Sequence, residues 1–449
     1  MALEQNQKDA ILANLSSVLS SEEGQNRIAN YIVSGDITWE ELSNTGMLTP
    51  ALRAALQAIV DSISVSHAED QLWQQTQLQN TIEAYENYRR LYQSGKYVHL
   101  IDTFIAGIRA QQAASQKYQY IEALRNDINA YRSEALIQRG IQICDLENAG
   151  INIPNEIKEI YSEPCVKLEL GEMPTSIEEG QTEVYFWGIT GSGKTCTLAS
   201  ILSVASIVEK GGGGVNYFQK LTNIFDNGVG TLPPGTQSGN FQSFSFDLLD
   251  EHKKHYPMTI VDLPGELISD MGAIYAGDKT LYEKDSVKKF LSIIKDTKNP
   301  KYHFFIVDVT NTRRDSEGLL QFNYLKNLAN FFTQTEPDIF NNKTSGVAIL
   351  VTKSDMLSSD ETEQLVKAIE LLNEKFEKFI TPLKSIAHSK GLISSETDNI
   401  NVIPFSIGKV YFRDKCVHNA KPAMKVINFI LENISAKRKE SKFRKFLRG

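Results

Sequence analysis

The stretch Val184-Tyr185-Phe186-Trp187-Gly188-Ile189-Thr190-Gly191-Ser192-Gly193-Lys194-Thr195 decides the fold. An apolar run ends in a glycine-rich turn, and the turn runs straight into Cys196 to Glu209, which reads as helix. Gly188, Gly193, Lys194 and Thr195 satisfy the G-x-x-x-x-G-K-[ST] spacing of a phosphate loop. The glycines let the backbone curl until successive N–H groups face one phosphate, and the helix N-terminus adds partial positive charge. Binding residues are therefore expected at Gly188, Gly191, Ser192, Gly193, Lys194, Thr195 and Cys196. The Lys194 ammonium is expected on the β/γ-phosphates and the Thr195 hydroxyl on Mg²⁺.

Downstream, near-continuous apolar runs alternate with helical patterns. Strands are expected at Val184–Trp187, Phe241–Leu249, Met258–Leu263, Tyr302–Val309, Gly346–Thr352 and Ile400–Phe405. Helices are expected at Thr195–Glu209, Ser286–Asp296, Glu317–Phe332, Asp360–Ile380 and Pro422–Ser435. Apolar strands separated by helices imply a sheet covered on both faces, the doubly wound α/β arrangement, whose ligand lies at the C-terminal strand ends.

Three further motifs fall at such ends. In Asp262-Leu263-Pro264-Gly265, the aspartate closes a buried strand and can hold Mg²⁺ through water, while Gly265 lets its backbone N–H approach a γ-phosphate. In Thr352-Lys353-Ser354-Asp355, the carboxylate can accept two hydrogen bonds from guanine N1–H and N2–H₂, a donor pair that adenine lacks. The Lys353 stem would pack over the base plane. The loop holding Ser406, Ile407 and Gly408 can offer backbone N–H groups to guanine O6.

These four motifs, in this order over about 184–436, resemble the P-loop GTPases of the TRAFAC or Ras-like class. A narrower likeness is to bacterial GTPases attached to signalling or conflict-system modules. The resemblance implies a mostly parallel six-stranded sheet with one antiparallel strand, here Phe241–Leu249. It also implies GTP/GDP and Mg²⁺ as ligands and hydrolysis coupled to loop switching. The threonine such proteins place before the second strand is Thr231 or Thr236; Thr236 lies closer to the strand and is preferred as metal and γ-phosphate ligand. Glu266 stands where Ras-like members carry a water-orienting glutamine, so Lys194, Thr236 and Glu266 form the catalytic set and slow intrinsic hydrolysis is expected. Arg313-Arg314 is either an internal arginine finger or a solvated loop pair. Gly211-Gly212-Gly213-Gly214 reads as a flexible loop, and Leu267 to Pro300 as either a moving segment or a surface insertion.

At 449 residues the chain exceeds one compact core. Residues 1–165, rich in Ala, Gln, Leu and Glu, read as helix, and 166–436 as the nucleotide-binding domain, entered through a linker with Gly171, Pro174 and Gly180. Ile32 to Pro50 returns in altered form as Ile137 to Pro154, each copy reading as short helices broken by glycine. A helix pair turns at Ser94-Gly95-Lys96, with Gly95 expected in the left-handed conformation of a helix end. Trp73, Asn80 to Tyr85, Tyr88 and Tyr92 to Tyr97 resemble helical-hairpin repeats found beside bacterial signalling and defence modules. That resemblance implies a partner-binding or oligomerising region, while Trp73, Tyr85 and Tyr88 themselves read as core.

The net charge of −8 argues against nucleic acid as partner. Four scattered cysteines form neither a disulfide framework nor a zinc site, and no secretory signal or spanning apolar run is evident, so a cytoplasmic protein is expected. The basic run 437–449 reads as a solvated tail docking on the acidic body, with peripheral membrane contact through Phe443, Phe446 and Leu447 as the alternative. An ATPase and a non-hydrolysing, nucleotide-bound scaffold remain the rival readings of the whole.

Overall fold

In the computed structural model, the described residues are 3–168, 173–211, 214–234, 241–314, 318–340, 343–393 and 400–448, without the side chains of 226 and 436–448. The chain divides into two compact units, Met1–Gln119 and Tyr120–Gly449. The helix Val98–Asn126 begins in the first and ends in the second.

The first unit is helical. Its long helix Pro50–Gln79 opens on proline after Thr49, whose hydroxyl accepts the Leu52 N–H, and stops at Asn80 in the left-handed region (φ 46°). Trp73, Tyr85, Tyr88 and Ile101 form a buried cluster, with Tyr97 stacked on Trp73 at 4.8 Å between centroids. Gly95 departs from expectation because its φ is not positive. The constraint there is space. A Cβ would sit 2.3 Å from Glu69 Oε1, the buried carboxylate that accepts from Tyr88 Oη (2.5 Å) and the Lys96 N–H (2.6 Å).

The stretches Ile32–Pro50 and Ile137–Pro154 follow similar backbone paths, one in each unit. Gly35 and Gly46, and Gly140 and Gly150, all have positive φ, and each pair brackets a six-residue helix, Trp39–Asn44 or Ile143–Asn148, opened by a capping box.

The second unit is built on a sheet that has, among the described residues, seven strands in the order β2-β4-β5-β1-β6-β7-β8. These are β1 Thr182–Trp187, β2 Ile207–Glu209, β4 Gln242–Leu249, β5 His255–Asp262, β6 Lys301–Asp308, β7 Thr344–Thr352 and β8 Asn401–Phe405. Only β4 runs against the rest. The six strands read from the sequence are all present, and β2 is an added edge strand. The helix expected over Thr195–Glu209 stops at Val204, where Ala205 turns extended (ψ 137°), and its last residues become β2.

Alternate residues of the central strands feed two cores. Tyr185, Trp187, Phe305, Val307, Ile349 and Val351 face one layer of helices, and Val184, Phe186, Phe304, Ile306, Ala348 and Leu350 face the other. The first layer includes Gly265–Ala276 and Asp285–Asp296, so the two helices of the Leu267–Pro300 segment pack into the core, with Leu267, Ile268, Met271 and Phe290 buried, while 276–280 and 283–285 between them are exposed. The helix expected over Asp360–Ile380 is two, Glu361–Lys375 and Glu377–Ser389, broken at Phe376 (φ −122°, ψ 16°). In the second layer, the presumed glycine loop gives way at Gly214 to a helix, Val215–Thr222, that buries Tyr217, Phe218 and Leu221.

A second sheet was not foreseen. Its strands β3 Val229–Thr231, β9 Gly408–Tyr411 and β10 Lys415–His418 pair antiparallel in the order β3-β10-β9. The helical stretch Tyr120–Tyr161 packs on this sheet through Leu136, Leu146, Ile157 and Tyr161, which surround Phe412 at the β9–β10 turn. The last helix, Lys421–Arg448, continues past the expected end at Ser435; the side chains of its basic run lie outside the described residues. Among the described residues no helix is long and apolar enough to cross a membrane.

Candidate functional site

Three parallel strands, β1, β6 and β7, end side by side, and the phosphate loop is built where they end. Gly188 follows β1 under tight packing, since a Cβ there would lie 2.7 Å from Ser192 Oγ and 3.0 Å from Ile306 Cβ. Gly193 (φ 89°) provides the left-handed turn into the helix Lys194–Val204, a conformation that strains any side chain with a Cβ. Ser192 Oγ donates to the Ile189 carbonyl at 2.8 Å, and Thr352 Oγ1 from β7 donates to the Ser192 carbonyl at 2.9 Å. The expected nucleotide-binding residue Thr352 thus holds the phosphate loop in shape.

Lys194 is buried, and its ammonium donates to the carbonyls of Gly188 (2.6 Å) and Ile189 (2.9 Å). Burial pulls the amine down to about 8, with the Asp262 carboxylate opposing the shift. Thr195 and Cys196 follow on the first turn, both half-buried, and burial pushes the Cys196 thiol up to about 11.

Asp262 closes β5 as expected and is buried. Its Oδ2 accepts a 2.5 Å hydrogen bond from Tyr217 Oη, while Oδ1 accepts none among the described residues. Burial raises the carboxyl above its ordinary range against the opposing influence of that bond and of Lys194. Gly265 opens the next helix pressed on the phosphate loop: a Cβ would fall 2.1 Å from the Thr190 nitrogen. The space that glycine leaves is filled here by Thr190. Glu266 is exposed on the first helical turn, with no hydrogen bond or ion pair among the described residues.

Beside the phosphate loop, β7 pairs with β8 so that Thr352 lies opposite Phe405, and the loops carrying Asp355 and Ser406 leave the sheet together. Lys353 takes the left-handed conformation (φ 57°), and its ammonium donates to Asp308 Oδ2 (2.7 Å) and Thr310 Oγ1 (2.9 Å). Asp355 is exposed, and its carboxylate has no partner among the described residues. Ser406 is buried and its Oγ accepts the Gly408 N–H at 3.2 Å, while the Ile407 carbonyl accepts from the Asn419 N–H at 2.8 Å.

Of the two threonine candidates, Thr231 is committed elsewhere. It is buried in β3, where its hydroxyl accepts from Lys415 Nζ at 2.9 Å. Thr236 lies outside the described residues. Arg313 and Arg314 are exposed, with Arg314 donating to the Gly318 carbonyl.

The residues present suit Mg²⁺. Among the described residues no cluster of three or more His, Cys, Asp or Glu gathers, and none is needed. Mg²⁺ at a triphosphate keeps most of its waters and takes one or two protein ligands. A helix-borne Thr195 and a buried carboxylate with one oxygen unbonded are donors of that kind.

Three groups escaped the sequence reading. Tyr217 follows a glycine run that reads as loop, although Val215, Phe218 and Leu221 show helical spacing. Asp308 ends an apolar strand just as Asp262 does. The third is the β9–β10 turn, where buried Asp414 accepts from the Ser133 N–H (3.1 Å) and Oγ (2.9 Å), and Lys415 donates to the Glu163 carbonyl (2.6 Å). The Asp414 carbonyl accepts the Leu232 N–H at 2.7 Å. At the far end of β10, His418 Nε2 lies 2.8 Å from Ser200 Oγ on the phosphate-loop helix.

The sheet order and the strand-end loops give the second unit a mostly parallel, helix-covered α/β fold with a phosphate-loop motif at the end of β1. No protein-family model matches the sequence, and no curated protein does. Among solved structures the chain is similar to nucleolar GTP-binding protein 1 of Plasmodium falciparum, at 15% identity and a TM-score of 0.29, over 61% of this chain and 98% of that one. It is also similar to the signal recognition particle receptor SRb-GTP/SRX complex of Chaetomium thermophilum (16%, TM-score 0.25, 50% and 92%). A third neighbour is a dimerization-deficient Toc33 of Arabidopsis thaliana (13%, TM-score 0.24, 51% and 71%). These likenesses are distant; the site rests on its own geometry.

Proposed function

We propose that this protein is a GTP-binding switch that hydrolyses GTP with Mg²⁺ and couples its nucleotide state to what its N-terminal helices bind. The observation that carries the reading is the meeting of three strand-end motifs in one place. Thr352 bonds the phosphate loop from the Thr352–Asp355 side, and Gly265 touches it from the Asp262–Gly265 side. A triphosphate there would draw Lys194 from two backbone carbonyls onto phosphate oxygens. Asp355, without a partner among the described residues, would receive the guanine edge. Thr195 and, through water, Asp262 would hold Mg²⁺, which would supply positive charge against that developing on the phosphates.

The route to the helices is supported by the β9–β10 hairpin. It begins just after Ser406 and Ile407, pairs with β3, and carries the turn on which Tyr120–Tyr161 packs. A partner of the helices, or a second copy of the chain, would then sense the nucleotide through this hairpin.

The test is the nucleotide that co-purifies, followed by competition. GDP or GTP in the purified protein, and a shift of preference from guanosine to xanthosine nucleotides in Asp355→Asn, are expected. Equal binding of ATP and GTP, unchanged in that variant, would return the protein to the ATPases. Exposed Glu266 favours a second reading, a nucleotide-bound scaffold that does not hydrolyse. Single-turnover phosphate release, measured with and without candidate partners, separates the two.

A further inference from the structure

We infer that Tyr217 is a positioning residue for the metal: it pins one oxygen of Asp262 so that the other faces the Mg²⁺ hydration shell. The inference rests on the GTPase reading above and names a residue that the four sequence motifs do not contain.

The geometry has three parts. Tyr217 Oη donates to Asp262 Oδ2 at 2.5 Å, and both residues are buried. In such surroundings water does not compete for the bond, and a carboxylate with one oxygen held has one orientation rather than two. The tyrosine ring is itself fixed. It is 2% exposed, lies in a tilted contact with Phe244 of β4 at 6.2 Å, and shares its helix with buried Phe218 and Leu221. Finally, Oδ1 accepts no hydrogen bond among the described residues, so the oxygen left for a metal-bound water is defined by elimination. A hydrogen bond to a carboxylate from behind is how outer-shell groups orient metal ligands; because Asp262 would act through a metal-bound water, its loss is expected at the low end of the usual range, about tenfold in metal affinity.

The experiment titrates Mg²⁺ against the release of a fluorescent GDP from the full-length protein. It compares wild type, Tyr217→Phe, Asp262→Asn and the double variant. Tyr217→Phe keeps the ring and removes only the donor. It is expected to raise the half-saturating Mg²⁺ concentration by about tenfold, to leave release in EDTA within about twofold of wild type, and to add nothing on the Asp262→Asn background. Unchanged half-saturation in Tyr217→Phe, or an equal change in EDTA, would overturn the inference; the second result would mark a packing role. An additive shift in the double variant would overturn it as well. If Asp262→Asn itself leaves the Mg²⁺ response intact, the metal role assigned to Asp262 fails first and this inference falls with it. A silent Tyr217→Phe beside a responsive Asp262→Asn sinks only the positioning role.

Discussion

At the scale of single residues, the site is a set of groups kept in place by their neighbours. Lys194 is the clearest. Its amine is held near 8 by burial and is bonded to carbonyls 188 and 189, so part of the population is neutral at mildly alkaline pH. Bound phosphate would restore the ordinary lysine range, so binding takes up a proton. Affinity for the triphosphate should therefore fall as pH rises through about 8, by about fivefold from pH 8 to pH 9. Calorimetry in buffers of different ionisation enthalpy would show the uptake; a flat profile would mean the amine stays charged throughout. In stability the sign is opposite. The folded amine lies below its unfolded value, so burying the charged form is a full penalty below about 8, relieved as pH climbs toward the ordinary lysine value. Lys353 gives a second prediction. Asp308→Ala would remove the Lys353 ion pair and also the carboxylate that holds Thr310, its other partner, and should weaken guanine nucleotides by about tenfold with little change in Mg²⁺ dependence, read by equilibrium competition. Why these residues differed in legibility follows from sequence separation. Gly188 to Thr195, Asp262 to Gly265 and Thr352 to Asp355 each carry their chemistry within a few residues. Tyr217 acquires its role only from Asp262, 45 positions away, and no local spacing reports that.

At the scale of elements, the longer apolar strands were readable because five to nine residues suffice to show a pattern. Strands β2, β3, β9 and β10, of three or four residues, lie below that length. The β9–β10 hairpin is the costliest omission, since it joins the Ser406–Ile407 loop, β3 and the helices. Asp414 on its turn accepts from Ser133 twice, with Arg132 3.9 Å away. Replacing it by alanine strands these donors and should destabilise the second unit by about 2–4 kcal/mol, measured as a lowered urea midpoint at unchanged slope. Phe412→Ala, at a fully buried ring, is expected to cost about 3–5 kcal/mol. Midpoints equal to wild type in both would show that the turn carries no weight.

At the scale of the molecule, the division at Gln119/Tyr120 falls well before the start of the P-loop fold at β1. Two thermal transitions are expected in calorimetry, of which GDP with Mg²⁺ raises only one. A fragment beginning at Gln111 should keep that transition and the nucleotide affinity, whereas one beginning at 166 should lose both; equal behaviour of the two fragments would contradict the packing of 120–161 on the small sheet. The β9–β10 turn sharpens the point. Phe412 and Arg413 both have positive φ (57° and 59°), the pairing that hairpin turns usually give to Asn and Gly. Helical groups hold them there: the phenyl ring is buried among the helices, and the Arg413 guanidinium bonds the Asn129 carbonyl at 2.6 Å. Each such backbone costs about 1–3 kcal/mol unless its surroundings compensate. The consequence is a limit on recombination. A lineage that shuffled the segment 120–165 away from 166–449 would inherit a hairpin bent against its own preference, next to the loop that holds Ser406 and Ile407. These two stretches are expected to travel through evolution as one heritable module, whatever becomes of residues 1–119.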